Sequence, residues 1–227
     1  MIDSILFPRT CVVCGSVLPG GVKHLCTRCI ANLPLTGQFS RPGNSMEQLF
    51  GYLPGMERAG GWIYYRPGSD ASRLIEAIKY NGTSRLARHL GELIGKEAAA
   101  AGLTEGIDGI QPVPLHFLRK LKRGYNQSEM LARGISKVCG APVLDMVATR
   151  RHRTQTALPA SQRRENVKGI YRMKKVTLPP WQRQSPRLLL VDDVCTTGST
   201  LSALAEVIER AYPGARFLFL TLAVTDR

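Results

Sequence analysis

The stretch that decides the fold is "LLLVDDVCTTGST", Leu188 to Thr200. Four apolar residues run into two adjacent acids; a loop of small hydroxylated residues around one glycine follows, and then a helical pattern begins. A short apolar run bounded in this way reads as a buried strand feeding a helix. In open α/β sheets, ligands sit where such strands end. The amides of "TTGST" and the first turn of the next helix form a natural phosphate cradle. Gly198 lets the chain approach a ligand closely, and Thr196, Thr197, Ser199 and Thr200 add hydroxyl donors. Asp192 and Asp193 would repel a phosphate, but they can accept the vicinal hydroxyls of a sugar that carries one. The stretch is built for a ribose 5-phosphate. A plain strand end with a helix N-cap at Ser199 or Thr200 explains the hydroxyls, but not the double acid.

Strand and helix patterns alternate along the rest of the chain. "GWIYYR" at Gly61 to Arg66 alternates like a strand, and "DASRLIEAIKY" places Leu74, Ile75 and Ile78 on one helical face before stopping at Asn81-Gly82. A second helix over roughly 84–101 carries Leu86, Leu90, Leu93 and Ile94. "IDGIQPVP" reads as a buried strand ending in prolines, "NQSEMLARGISKV" as a helix, and "PVLDMV" as a further strand. "RLLLVDDV", "STLSALAEVIERA" and "ARFLFLTLAV" follow as strand, helix and strand. This alternation predicts an α/β fold with a parallel sheet and helices on both faces.

Hydrophobic content of 44% with 21% charged residues is ordinary for a soluble globular protein. The run "FLFLTLAV" is far short of the ~18 residues that a membrane span requires, so no membrane insertion is expected. "MIDSILFPRTC" has neither a basic n-region nor a useful apolar h-region, and a cytoplasmic protein without a signal peptide is expected. Between Arg119 and Arg187 stand 17 Lys and Arg against three acids, Glu129, Asp145 and Glu165, which accounts for the whole net charge of +14. A polyanion, either a pyrophosphate or a nucleic acid, is the expected partner of that region, with a solvated basic surface as the plain alternative.

Near the start, "CVVC" at Cys11 and Cys14 is answered by "CTRC" at Cys26 and Cys29. Two C-x2-C knuckles can present four thiolates tetrahedrally to one zinc ion. Disulfides are disfavoured in a cytosolic protein, and a redox C-x-x-C would not come twice. The site has no open position, so its role is structural. The expected organisation is a zinc module over residues 1–36, a Gly- and Pro-rich connecting segment with one short helix over 37–60, and the α/β domain over 61–227.

The Leu188–Thr200 stretch resembles the phosphoribosyl diphosphate (PRPP) motif of type I phosphoribosyltransferases. With "CVVC…CTRC", "IKYNG", "PVPLHFLRKLKRGYNQSEMLA" and "RTQTALPASQRRENVKGIY" in the same order, nearly the whole chain is similar to the ComF/GntX family. The resemblance implies a type I phosphoribosyltransferase-like domain behind the zinc module. It implies Asp192 and Asp193 on the ribose hydroxyls, the backbone through Val194 and Cys195 leading into Thr196–Thr200 on the 5-phosphate, and magnesium bridging ribose and pyrophosphate oxygens. Arg119, Lys122 and Arg123 follow their own strand and can neutralise a pyrophosphate. The basic stretch from Thr149 to Gly169 stands where such enzymes carry a closing lid.

No amidotransferase nucleophile and no purine-reading set is recognisable in the chain. Two readings therefore stand side by side. One is a PRPP-dependent transferase with an unidentified acceptor. The other is a non-enzymatic PRPP-binding component of DNA uptake, in contact with single-stranded DNA and a helicase, as the family's association with competence implies.

Overall fold

The computed structural model describes residues 9–80, 84–150, 169–174 and 185–225. In chain order the elements begin with α1 (Thr27–Ala31), a 3-10 turn at Gln38–Ser40, α2 (Ser45–Phe50), β1 (Met56–Tyr65), α3 (Asp70–Tyr80) and α4 (Ser84–Ala100). Then follow β2 (Gly109–Pro112), α5 (Phe117–Arg123), α6 (Gln127–Cys139), β3 (Val147–Thr149) and β4 (Tyr171–Met173). The chain closes with β5 (Arg187–Cys195), α7 (Ser199–Ala211) and β6 (Arg216–Thr225). The expected lid lies outside the described residues except at its two ends.

Four strands form a parallel sheet in the order β1-β6-β5-β2. Its two central strands are apolar on both sides, as a doubly covered parallel sheet requires. Leu189 and Val191 of β5, with Leu218 and Leu220 of β6, face a core built with α3, α4 and α6. Their neighbours Leu188, Leu190, Phe217 and Phe219 face a second core with α2 and α7. Helices α4 and α6 cross in close contact because Gly91 and Gly134 lie at the crossing. A Cβ on Gly134 would collide with the Arg88 carbonyl, and one on Gly91 with the Leu131 carbonyl.

The apolar residues of the cysteine-rich segment, Val13, Leu18, Leu25 and Leu33, are buried in the same core as α3, α4 and Ile63 of β1. Leu35 then forms a bridge with Ile63. The segment over 37–60 is tied closely to β1. Asn44 caps α2 through the Met46 and Glu47 amides and donates to the Gln38, Arg41 and Ala59 carbonyls. Glu47 accepts from Arg58 at 2.6 Å, and the Gln38 side chain accepts from the Gly61 amide at 2.9 Å. These bonds draw the strand expected from Gly61 back to Met56.

"PVLDMV" is not a strand of the parallel sheet. Val143 makes one parallel bridge to Ile110, and Val147–Thr149 instead pairs antiparallel with β4 as a separate ribbon. The reason is Pro112, which lacks the amide that would continue the ladder along the outer edge of β2. The Gln111 side chain takes over there, accepting from the Met146 amide at 3.0 Å and donating to the Pro112 carbonyl at 2.6 Å. Helix α5 is also an addition to the sequence pattern: none of its residues is buried, and its apolar side chains Phe117, Leu118 and Leu121 are exposed.

Candidate functional site

Strands β2 and β5 are neighbours, yet their outgoing connections go to opposite faces of the sheet. β2 leads through α5 to α6, whose Leu131 and Ile135 lie in the core shared with α3 and α4. β5 leads into α7, whose Leu201, Leu204 and Ile208 lie in the other core. The chain parts between the two strand ends, and such a switch point is where open α/β sheets take ligands.

Asp192 and Asp193 stand at this point. Asp192 is buried, and its Oδ1 accepts from the Ser128 hydroxyl at 3.0 Å and from the Asp193 amide at 2.8 Å. Asp193 accepts from the Val194 amide at 2.8 Å through Oδ1, while its Oδ2 lies 3.1 Å from Lys79 Nζ. Burial pushes the Asp192 carboxyl up and the charge of Asp193 pushes it further. The Asp193 amide, the Ser128 hydroxyl and Lys79 pull it back, leaving it at about 8. The inner acid therefore holds its proton more firmly than an ordinary aspartate, and the outer acid is ion-paired.

The loop that follows forms a small hollow lined by Asp192, Val194 and Cys195 and by the residues from Thr196 to Thr200. Helix α7 has its N-cap at Gly198, which has no side chain to bond the first amides. An N-cap at Ser199 or Thr200 is thus excluded, and the Thr197 and Ser199 hydroxyls lie 2.9 Å from each other. An uncapped helix start with hydroxyls around it can take an anion. Packing also requires a glycine at 198. Its φ is +74°, and a Cβ there would meet Phe50 Cε1 at 2.7 Å and Leu49 Cδ2 at 3.0 Å. Helix α2 therefore supports the loop from behind, helped by Tyr52, whose hydroxyl donates to Ser202 Oγ at 2.8 Å.

The expected pyrophosphate cations lie on α5. Arg123 donates to Gln127 Oε1 at 2.9 Å and lies over the Tyr80 ring, 5.7 Å from its centroid. Arg119 and Lys122 are exposed and form no ion pair among the described residues. Asn126 caps α6 through the Ser128 amide and ties the exit of β2 by donating to the Val113 carbonyl at 2.9 Å. The buried Gln127 keeps its Nε2 without a hydrogen-bond partner among the described residues. Lys79 and Ser128 were not legible as site residues. "IKYNG" and "GYNQS" read locally as a helix end and a helix start, and only the fold brings them to the acids.

The four cysteine sulfurs lie within 4.8 Å of one another. The Cys14 and Cys26 sulfurs are 3.8 Å apart, about the edge of a tetrahedron with ~2.3 Å metal–sulfur bonds and far beyond a disulfide. The Cys26 amide points at Cys11 Sγ at 3.5 Å and the Cys29 amide at Cys26 Sγ at 3.4 Å, the donor pattern that thiolates need. Hydrogen bonds from the side chain and backbone of Ser16 draw the Cys14 thiol down to about 6. The cluster fits a tetrahedral, sulfur-seeking cation. No helix among the described residues is long and apolar enough to cross a membrane.

The chain is 32% identical to the DNA utilization protein YhgH of Escherichia coli O157:H7 over 88% of its own length and 78% of the relative's. It is 29% identical to competence protein F of Haemophilus influenzae over the same shares. With competence protein ComFC of Streptococcus pneumoniae it shares 29% identity over 44% of its length and 40% of the relative's. No family model matches.

The raised Asp192 carboxyl carries a testable pH dependence. Folded Asp192 holds its proton up to about 8, whereas an unfolded aspartate loses it near 3.9, so in this window unfolding releases a proton. The contribution of Asp192 to stability is therefore fully present below about pH 4, falls as pH rises and levels off above about 8. Urea denaturation of the parent and of Asp192→Asn across this range should show the parent losing stability relative to the variant. A constant difference would contradict the assignment.

Proposed function

We propose, for a chain that belongs to the ComF family of competence and DNA-utilization proteins, a role in DNA utilization that works through binding of PRPP with magnesium. The observation that carries this reading is the pairing of two acids at the end of β5 with an uncapped, hydroxyl-lined helix start at the switch point of the sheet. Asp192 and Asp193 would take the ribose hydroxyls. The amides and hydroxyls from Thr196 to Thr200, with the backbone of Val194 and Cys195 behind them, would take the 5-phosphate. Arg119, Lys122 and Arg123 are the cations for the diphosphate, and magnesium would supply charge neutralisation there. A nucleophile seated beside the anomeric carbon would make the protein a phosphoribosyltransferase; without one the site serves binding alone.

Contact with single-stranded DNA is a second reading, favoured by a cleft of about 790 Å³ on the outer side of β2. Its wall carries Arg88, Lys120, Arg133, Lys137 and Lys174 against Glu129 and Asp145, with the exposed Phe117 available to stack on a base. The ion that suits the four cysteines is zinc. Its closed sulfur shell would hold a module whose apolar residues are too few to stand without the main core.

Three measurements test these assignments. Changing Asp192 and Asp193 together to Asn should weaken calorimetric PRPP binding by at least about tenfold without unfolding the protein, since a hydrogen bond to the charged Asp193 carboxylate contributes ~1.5–3 kcal/mol; unchanged affinity would sink the ligand assignment. Protein purified without chelator should hold one zinc per chain, and stripping it should lower the melting temperature; metal-free, equally stable protein would count against the site. Binding to a single-stranded oligonucleotide should weaken with salt, with a log–log slope of about −0.7 per phosphate met. Replacing Arg88, Lys120 and Lys137 by Ala should flatten that slope by about two, and an unchanged slope would clear the cleft of that role.

A further inference from the structure

A carboxylate pair beside a phosphate cradle poses an electrostatic problem, and the structure contains a solution that the acids and the loop do not supply themselves. Lys79 stands in the last turn of α3, more than a hundred residues before Asp193 in the chain. Its Nζ lies 3.1 Å from Asp193 Oδ2, with both side chains largely withdrawn from solvent. The helix end that carries it is held on both sides. The Tyr125 hydroxyl donates to the Ile78 carbonyl, and the Arg123 guanidinium lies over the Tyr80 ring. Among the described residues, Lys79 is the cation paired with either acid. Arg123 is engaged by Gln127 instead.

We propose that Lys79 is a specificity-determining residue of this site: by pairing with Asp193 it cancels the charge of the outer acid in front of the cradle, so that a phosphorylated ligand can be accepted beside a carboxylate pair. Ser128 has the complementary role on the inner acid, holding Asp192 with a hydrogen bond from α6. The shifted titration of Asp192 agrees with this division, since an inner acid that keeps its proton leaves only Asp193 to be neutralised. The proposal rests on the reading of the loop as a phosphate cradle. A unit charge about 10 Å from an anion changes its affinity by about tenfold at an effective dielectric of about 20, so the cation matters to binding without touching the phosphate.

The test is a charge cycle read with two probes, inorganic phosphate and PRPP with magnesium, by calorimetry at neutral pH. Lys79→Met should weaken phosphate binding by about tenfold, and Asp193→Asn should strengthen it by a similar factor. The double variant Lys79→Met/Asp193→Asn should return close to the parent, and Lys79→Arg should match the parent. For PRPP, Asp193→Asn should weaken binding even as it tightens phosphate, because a hydroxyl acceptor is lost. A purely structural lysine would not be rescued by Asp193→Asn, and the double variant would stay as weak as Lys79→Met. Phosphate binding unaffected by Lys79→Met would overturn the proposal, as would a double variant that binds phosphate as weakly as Lys79→Met alone. If the parent binds phosphate but not PRPP, the ribose reading fails while the phosphate cycle still decides the role of Lys79. If it binds neither, both ideas fall.

Discussion

A carboxylate buried at the end of a central strand, with a second carboxylate as its chain neighbour, is the constraint around which the functional half of this molecule is arranged. Two adjacent acids withdrawn from water cannot both ionise without compensation. The protein meets this with a hydroxyl from α6, a backbone amide and an ammonium from α3. Each partner comes from a different part of the chain, so the acids can be held only when α3, α6 and β5 are packed together. The pair is thus as much a consequence of the finished core as a feature of its own strand.

The core, in turn, is shaped to bring those elements together. Glycines 91 and 134 let α4 and α6 cross at backbone contact, which sets α6 close against the sheet and its first turn beside the end of β5. On the opposite face Phe50 packs beneath Gly198, so that α2, from a segment with the composition of a linker, holds the loop before α7. Neighbouring strands send their connections to opposite faces, and the crevice this opens lies between a neutralised acid pair and an uncapped helix start. The proposed ligand, an anion attached to a hydroxylated ring, rests on this geometry and charge together.

The cysteine cluster belongs to this arrangement through packing. Its apolar residues are buried with those of α3, α4 and β1, and the chain leaving it bridges to Ile63. A metal held by the four sulfurs would therefore fix one wall of the main core as well as the module itself. The basic surplus is spread differently. Part of it lines the cleft outside β2, where Lys137 and Lys174 are already paired with Glu92 and Asp145, and part is on the exposed helix α5.

The sequence by itself determined the parallel sheet, because β5 and β6 are apolar at consecutive positions and only a strand covered on both faces tolerates that. It also determined the cysteine set, fixed by the reach of two C-x2-C turns, and the loop around Asp192 to Thr200, because those residues are contiguous and their chemistry is local. Tertiary structure decided what depends on meetings between distant segments. Pro112 ended the β2 ladder and turned an expected sheet strand into a separate ribbon, a consequence visible only once the partner strand is known. The packing of Phe50 against Gly198 was added by the fold. Lys79 and Ser128 became partners of the acids although their local patterns spell only a helix end and a helix start. A hydrogen bond across sixty-four residues, or an ion pair across more than a hundred, has no signature in either segment alone; it exists because the helices that carry the partners are packed onto one sheet.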